Sequence, residues 1–126
     1  MEFVTVNGKR PGPIGQGTWY LGEDPASFGQ ERKALEEGIE QGMTLIDTAE
    51  MYGDGAAEEL VGSAIQHYER ESLYLVSKVY PFNAGRKNIF NSCRNSLRRM
   101  RTDYLDLYLL HWRGGVPLGE TVECMQ

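Results

Sequence analysis

Four residues that could act together in catalysis follow three apolar runs of the sequence. Asp47, Lys78 and His111 each end such a run, and Tyr52 lies five positions after Asp47. A tyrosine is a weak acid at neutral pH, and a nearby lysine ammonium favours its phenolate. A carboxylate can hold that lysine, and a histidine can donate a hydrogen bond to a substrate oxygen. Such a group suits carbonyl reduction when a cofactor supplies hydride.

Each of these residues also has an ordinary structural interpretation. An aspartate at a strand end is more often a helix cap or a loop hydrogen-bonding group. A lysine or histidine there is usually solvated or satisfied, and Tyr52 could be a packing residue. The spacing by itself therefore leaves the catalytic and the structural interpretations about evenly balanced.

The elements that must position these residues alternate between β-type and helical runs. We predict strands at 14–18, 43–47, 73–78 and 104–110, helices at about 27–41, 56–68 and 86–100, and the opening of a fourth helix near 119. Asn7-Gly8 predicts a hairpin turn within residues 3–11. Alternation of this kind predicts α/β architecture with four adjacent parallel strands and right-handed crossovers. Ligand sites in such sheets lie at the carboxyl ends of the strands, where the four candidate residues stand.

The composition restricts the class of protein. The chain has 126 residues, of which 40% are hydrophobic and 25% charged, which predicts a single domain over residues 1–126. A net charge of −5 argues against nucleic acid as the main partner. Two cysteines without a C-x-x-C pattern, and no signal-peptide or membrane-span pattern, predict a reduced, cytoplasmic setting without membrane attachment.

Two kinds of ligand site have no support in the sequence. The two histidines and two cysteines lack ligand spacing, so no metal site is predicted. Gly15-Gln16-Gly17 does not begin a G-x-G-x-x-G motif, because Tyr20 occupies the sixth position. We therefore predict no Rossmann fingerprint.

Several segments resemble the aldo-keto reductase family. Residues 47–53, Asp-Thr-Ala-Glu-Met-Tyr-Gly, are similar to its D-T-A-x-x-Y-G segment, and Ser77-Lys78 and His111-Trp112 are similar to its S/T-K and H-W pairs after the third and fourth strands. Residues 15–19 resemble its first barrel strand, and residues 3–11 its bottom-capping hairpin. The sequences of residues 15–22 and 45–53 are similar to those of bacterial members that reduce methylglyoxal and related small aldehydes.

The resemblance implies a fold, a cofactor and residue roles. The fold would be the N-terminal half of a (β/α)₈ TIM barrel, truncated after strand 4, and NADPH would bind at the C-terminal face. Tyr52 would donate a proton to the carbonyl oxygen, Lys78 would favour its ionisation, Asp47 would support Lys78, and His111 would orient the substrate. Cofactor contacts are expected from Gly17, Thr18, Trp19 and Asp47, and substrate contacts from Trp19, Tyr52, His111 and Trp112.

A barrel of this type needs eight strands and typically about 250 residues, whereas four strands are predicted here. Most NADPH contacts are therefore expected in the missing second half. The leading hypothesis is NADPH-dependent reduction of small aldehydes and ketones. The alternatives are a redox-inert scaffold and a half-barrel interaction module that pairs with itself or with a complementary half.

Overall fold

The computed structural model describes residues 3–126. The strands are β1 (Gly15–Gly17), β2 (Leu45–Asp47), β3 (Tyr74–Val79) and β4 (Leu107–Leu110), and the α-helices are α1 (Phe28–Glu40), α2 (Ala56–Ala64), α3 (Ile89–Met100) and α4 (Leu118–Met125). The strands form one sheet in the order β1-β2-β3-β4, and every neighbouring pair is parallel. The predicted four-stranded half of a (β/α) barrel is therefore confirmed. Among the described residues, no helix has the length and apolar character needed to cross a bilayer.

The hydrophobic core lies between the sheet and the helices. Its buried members come from α1, β2, α2, β3 and α3 and the turns beside them: Leu35, Ile39, Ile46, Val61, Ala64, Ile65, Leu73, Leu75 and Met100. Successive side chains of a strand point to opposite faces. Ile46 and Leu75 therefore face the helices, whereas Asp47 and Lys78 lie on the other face, which would line a barrel.

Close packing of α2 against α3 depends on Gly62. A Cβ atom at this position would overlap the backbone of Arg99 and Met100. The absence of a side chain lets the two helices approach closely. This contact matters for the site because α2 begins directly after the loop that carries Tyr52.

The N-terminal turn is present, but its pairing is short. Asn7 and Gly8 have positive φ angles of 49° and 78°, as a type I′ turn requires. Val6 and Lys9 exchange two backbone hydrogen bonds of 2.7 and 2.9 Å, and among residues 3–126 the antiparallel pairing is limited to this bridge. The Asn7 side chain donates to the Tyr74 hydroxyl at 3.0 Å. The segment thus packs under the amino end of the sheet instead of extending its own ladder.

Two other predicted boundaries are corrected. The strand predicted at 104–110 begins only at Leu107. The Asp106 N–H still donates to the Leu75 carbonyl at 3.0 Å, but the Leu75 N–H donates to the Asp106 side chain at 2.8 Å instead of to a backbone carbonyl. The helix predicted at 56–68 is α-helical to Ala64 and ends in a tighter turn over Ile65–His67. Neither change moves a candidate site residue.

The buried carboxylate of Asp106 links the N-terminal turn to the amino end of the sheet. The side chain of Asp106 is 5% exposed, and its two oxygens lie 2.6 Å from Lys9 Nζ and 2.9 Å from Arg70 Nη2. Burial acts to raise the pKa of the Asp106 carboxyl. Hydrogen bonds from Lys9, the Leu75 N–H and Arg70 outweigh burial and hold that pKa below its ordinary value.

Asp106→Asn should lower the free energy of unfolding near neutral pH by about 1–3 kcal/mol, because it removes a charged hydrogen-bond acceptor. The folded-state pKa is depressed, so the carboxylate stabilises the fold above its unfolded pKa of about 3.9. That contribution is lost as the pH falls through the folded pKa. Urea unfolding of both chains at matched concentration measures the difference. The two curves should separate at neutral pH and converge in strong acid, and a constant separation would contradict this assignment.

Candidate active site

The ammonium group of Lys78 lies at the centre of the candidate site. Its Nζ atom is 2.8 Å from both carboxylate oxygens of Asp47 and 3.3 Å from the hydroxyl of Tyr52. It also donates to the backbone carbonyl of Thr48 at 2.9 Å. The Lys78 side chain is 13% exposed and that of Asp47 is 37% exposed, so the pair is open on one side. Lys78 therefore lies between the carboxylate and the phenol, as the sequence predicted.

Strand register brings Asp47 and Lys78 together. Asp47 pairs with Val76 across β2 and β3, and Val76 is two residues before Lys78. Side chains two residues apart on a strand share a face. The lysine therefore extends from the same face of the sheet as the carboxylate, one step nearer the carboxyl edge.

An unusual backbone shapes the loop that presents Tyr52. Three successive residues, Gly53, Asp54 and Gly55, have positive φ angles of 61°, 52° and 98°. Glycine adopts this region without steric cost, and aspartate tolerates it better than most residues. Gly55 is buried, and a Cβ there would lie 2.8 Å from the Arg99 side chain. The chain can thus turn sharply from Tyr52 into the first turn of α2.

His111 closes the group on the side of β4. Its backbone N–H donates to the Val79 carbonyl at 3.1 Å, and its ring meets the Tyr52 ring edge-on with centroids 5.7 Å apart. Burial lowers the pKa of His111, the Lys78 ammonium lowers it further, and the Asp47 carboxylate opposes them. The imidazole is therefore held in its neutral form at neutral pH, in which one nitrogen remains a donor.

The predicted ligand-binding residues lie around this group. Trp19 is 62% exposed, and its ring is 6.4 Å from that of Tyr52. Trp112 is 52% exposed and lies 4.9 Å from the His111 ring. Gly17 pairs with Asp47 in the sheet. Thr18 differs from the others, because the whole residue is buried and its hydroxyl donates to the Asp47 carbonyl at 2.9 Å, so it supports Asp47 and does not line the open surface.

Two buried glutamates near the site were not among the predicted residues. Glu50 is 6% exposed, and its carboxylate accepts the Tyr80 N–H at 2.6 Å. Glu58 is fully buried and accepts hydrogen bonds from Ser77 Oγ at 2.7 Å and Arg99 Nε at 2.8 Å. Helical spacing could have indicated that Glu58 is buried, because it lies three positions before the buried Val61 on the same helix. No comparable signal marks Glu50.

A third residue missed from the sequence is Tyr20. It has a positive φ of 71°, which is rare for a residue with a large side chain. Its ring stacks on that of Trp19 with centroids 4.6 Å apart. Tyr20 therefore extends the aromatic surface beside Tyr52.

Comparison with known proteins identifies the family of this chain. The Aldo/keto reductase family model matches residues 13–126. This chain belongs to the aldo/keto reductase family. The methylglyoxal reductase YeaE of Escherichia coli is 58% identical over 113 residues, which cover 90% of this chain and 39% of that protein. The aldo-keto reductase YhdN of Bacillus subtilis is 38% identical over the whole chain and 43% of its own length.

The matching parts of solved aldo-keto reductases have the same fold as this chain. The Klebsiella pneumoniae enzyme, crystallised with NADPH, is 59% identical with a TM-score of 0.88 over 92% of this chain and 40% of its own. A thermostable aldo-keto reductase bound to the inhibitor epalrestat is 41% identical with a TM-score of 0.93, over 99% of this chain and 48% of its own. The chain thus spans less than half the length of these relatives.

Proposed function

We propose that residues 1–126 supply the chemical half of an NADPH-dependent reductase of small aldehydes and ketones. The observation that carries the proposal is the position of Lys78 Nζ, 2.8 Å from the Asp47 carboxylate and 3.3 Å from the Tyr52 hydroxyl. A phenol beside an ammonium is suited to act as a general acid towards a carbonyl oxygen. Family membership supports the proposal, and the Klebsiella relative was crystallised with NADPH.

The residues present fit the reactive end of this cofactor. Gly17 has open space above it, since a Cβ there would meet no atom within 4 Å. It lies beside Asp47 at the carboxyl edge of the sheet, where parallel α/β proteins bind ligands. The exposed Trp19 adjoins this opening. NADPH, when bound, supplies the hydride that reduces the carbonyl carbon.

The protein groups then complete the reduction. As negative charge develops on the carbonyl oxygen, Tyr52 transfers its phenolic proton to that oxygen, and the product is an alcohol. The Lys78 ammonium stabilises the phenolate that remains, and Asp47 holds the ammonium in place. Neutral His111 donates a hydrogen bond that orients the substrate oxygen.

The surroundings of the site favour small, partly apolar substrates. The rings of Trp19, Tyr52, His111 and Trp112 form a continuous series of neighbours, with centroids 6.4, 5.7 and 4.9 Å apart. Such a surface can cover the apolar part of a small aldehyde while Tyr52 and His111 bind its oxygen. The name of the Escherichia coli relative agrees with a short dicarbonyl substrate.

The test uses a complete barrel, in which residues 1–126 are followed by the four remaining strands. We expect this protein to consume NADPH when methylglyoxal is added, and the loss of NADPH absorbance measures the rate. A reaction without aldehyde is the control. A folded complete barrel that binds NADPH but reduces no member of a panel of small aldehydes and ketones would refute the proposal.

A further inference from the structure

Glu50 is a buried carboxylate with no part in the proton transfer just described. It lies between Asp47 and Tyr52 in the sequence, and only 6% of the residue is exposed. One carboxylate oxygen accepts the Tyr80 N–H at 2.6 Å and the side-chain amide of Asn83 at 3.4 Å. A carboxylate is costly to bury, so these partners and their placement need a physical explanation.

The hydrogen bonds around Glu50 continue the pairing of β2 with β3. The Thr48 N–H donates to the Val76 carbonyl at 2.9 Å, and the Glu50 N–H donates to the Lys78 carbonyl at 3.3 Å. The chain after β2 therefore follows β3 beyond the last residue of β2. This extension ends at Glu50, two residues before Tyr52.

At the next step of the ladder, the Glu50 side chain replaces a backbone acceptor. Near the start of β3, the Tyr74 N–H donates to the Thr44 carbonyl, 30 positions earlier in the chain. The same spacing places the Tyr80 N–H opposite Glu50, where the carboxylate accepts it. The side chain thereby joins the two segments where backbone pairing ends.

These two segments carry the groups that must meet for proton transfer. The segment after β2 leads directly to Tyr52. It also supplies the Thr48 carbonyl, which accepts a hydrogen bond from Lys78 Nζ at 2.9 Å. The other supplies Lys78 itself. We propose that Glu50 is a positioning residue. Its carboxylate accepts the Tyr80 N–H and so holds residues 48–52, the Tyr52 segment, against the end of β3. This contact keeps the Tyr52 hydroxyl within reach of Lys78 Nζ. This inference rests on the proposed reductase function.

The first test compares variants of the complete barrel. Glu50→Ala removes the acceptor and should lower kcat by about 10–100-fold, because a small misplacement of reacting groups is costly. KM for the aldehyde should change by less than about 3-fold, because Glu50 does not touch the ligand site. Glu50→Gln keeps an oxygen acceptor and should recover most of the lost kcat. Leu35→Ala, which opens a core cavity under α1, controls for lost stability.

If Glu50→Ala fails to fold, Glu50→Asp takes its place in the series. The shorter side chain keeps the charge but should not reach the Tyr80 N–H, so kcat should again fall. An aspartate variant with the kcat of the unchanged protein would overturn the proposal. So would an alanine variant that loses no more kcat than Leu35→Ala, or a glutamine variant no better than alanine.

A second measurement is independent of catalysis. Hydrogen–deuterium exchange of the Tyr80 and Thr48 amides should be faster in Glu50→Ala than in the unchanged protein, and Glu50→Gln should largely restore protection. Equal protection of these amides in the alanine variant would overturn the positioning role. If the complete barrel reduces no aldehyde, the proposed function fails, and the exchange data still decide whether Glu50 holds the Tyr52 segment.

Discussion

Replacing Tyr52 by phenylalanine is expected to reduce carbonyl reduction by at least about 100-fold in the complete barrel. A positioned general acid contributes about 10²–10⁴-fold, and the phenol is the group 3.3 Å from Lys78 Nζ that can supply the proton. Phenylalanine keeps the ring that lies beside His111 and Trp19. The loss should therefore fall on kcat, and the Kd for NADPH should change little. Steady-state kinetics with methylglyoxal and a fluorescence titration with NADPH measure the two quantities.

Tyr68→Phe is a matched control for this experiment. It removes a hydroxyl that donates to the Glu36 carbonyl at 3.2 Å, on the helical side of the sheet. We expect the control to keep its turnover within about 2-fold, since the change lies far from the reacting groups. Turnover by Tyr52→Phe close to that of the unchanged protein would eliminate Tyr52 as the proton donor.

A polypeptide limited to residues 1–126 is expected to associate in solution and to show little turnover. β1 and β4 are the two edges of the sheet, and neither edge is paired within the described residues. Leu107 and Leu109 lie on the same face as Val76 and Lys78, and each is 36% exposed. Unpaired strand edges and exposed apolar faces favour association with another chain. Analytical ultracentrifugation and an NADPH assay on one sample measure both properties.

The double variant Leu107→Lys, Leu109→Lys tests the source of this association. Charged side chains on an edge strand oppose pairing with another chain, so the variant should sediment closer to the monomer. A second double variant, Lys33→Ala and Lys87→Ala, changes two exposed charges outside the sheet and should leave association unchanged. If the unsubstituted polypeptide sediments as a monomer and has normal turnover, the prediction is contradicted and half a barrel suffices for activity.

Local patterns in the sequence predicted most of the fold. The strand predicted at 73–78 and the helix predicted at about 56–68 correspond to β3 and α2. These elements can be predicted from the sequence because burial of one helix face or of a whole strand requires a matching periodicity of apolar residues. Asn7-Gly8 likewise predicted its turn, since few residues accept two successive positive φ angles.

The convergence of Asp47, Lys78 and His111 followed from topology, whereas Tyr52 reaches them through the loop after β2. Parallel strands place their carboxyl ends at one edge, so residues that end successive strands must come close. The structure shows this convergence, and the catalytic roles of the four remain predictions. The short extent of β4 could not be predicted, because it depends on an Asp106 side chain that competes with backbone pairing.

The sequence by itself determined the element order, the parallel sheet and the edge at which the reactive side chains meet, because these depend on local periodicity and strand polarity. Only the tertiary structure decided which buried polar groups support that edge. Glu50, Glu58 and Thr18 find their partners at Tyr80, Arg99 and Asp47, between 29 and 41 positions away. Such bonds depend on the register of packed elements, which no local pattern encodes, and they become necessary only after packing has excluded water.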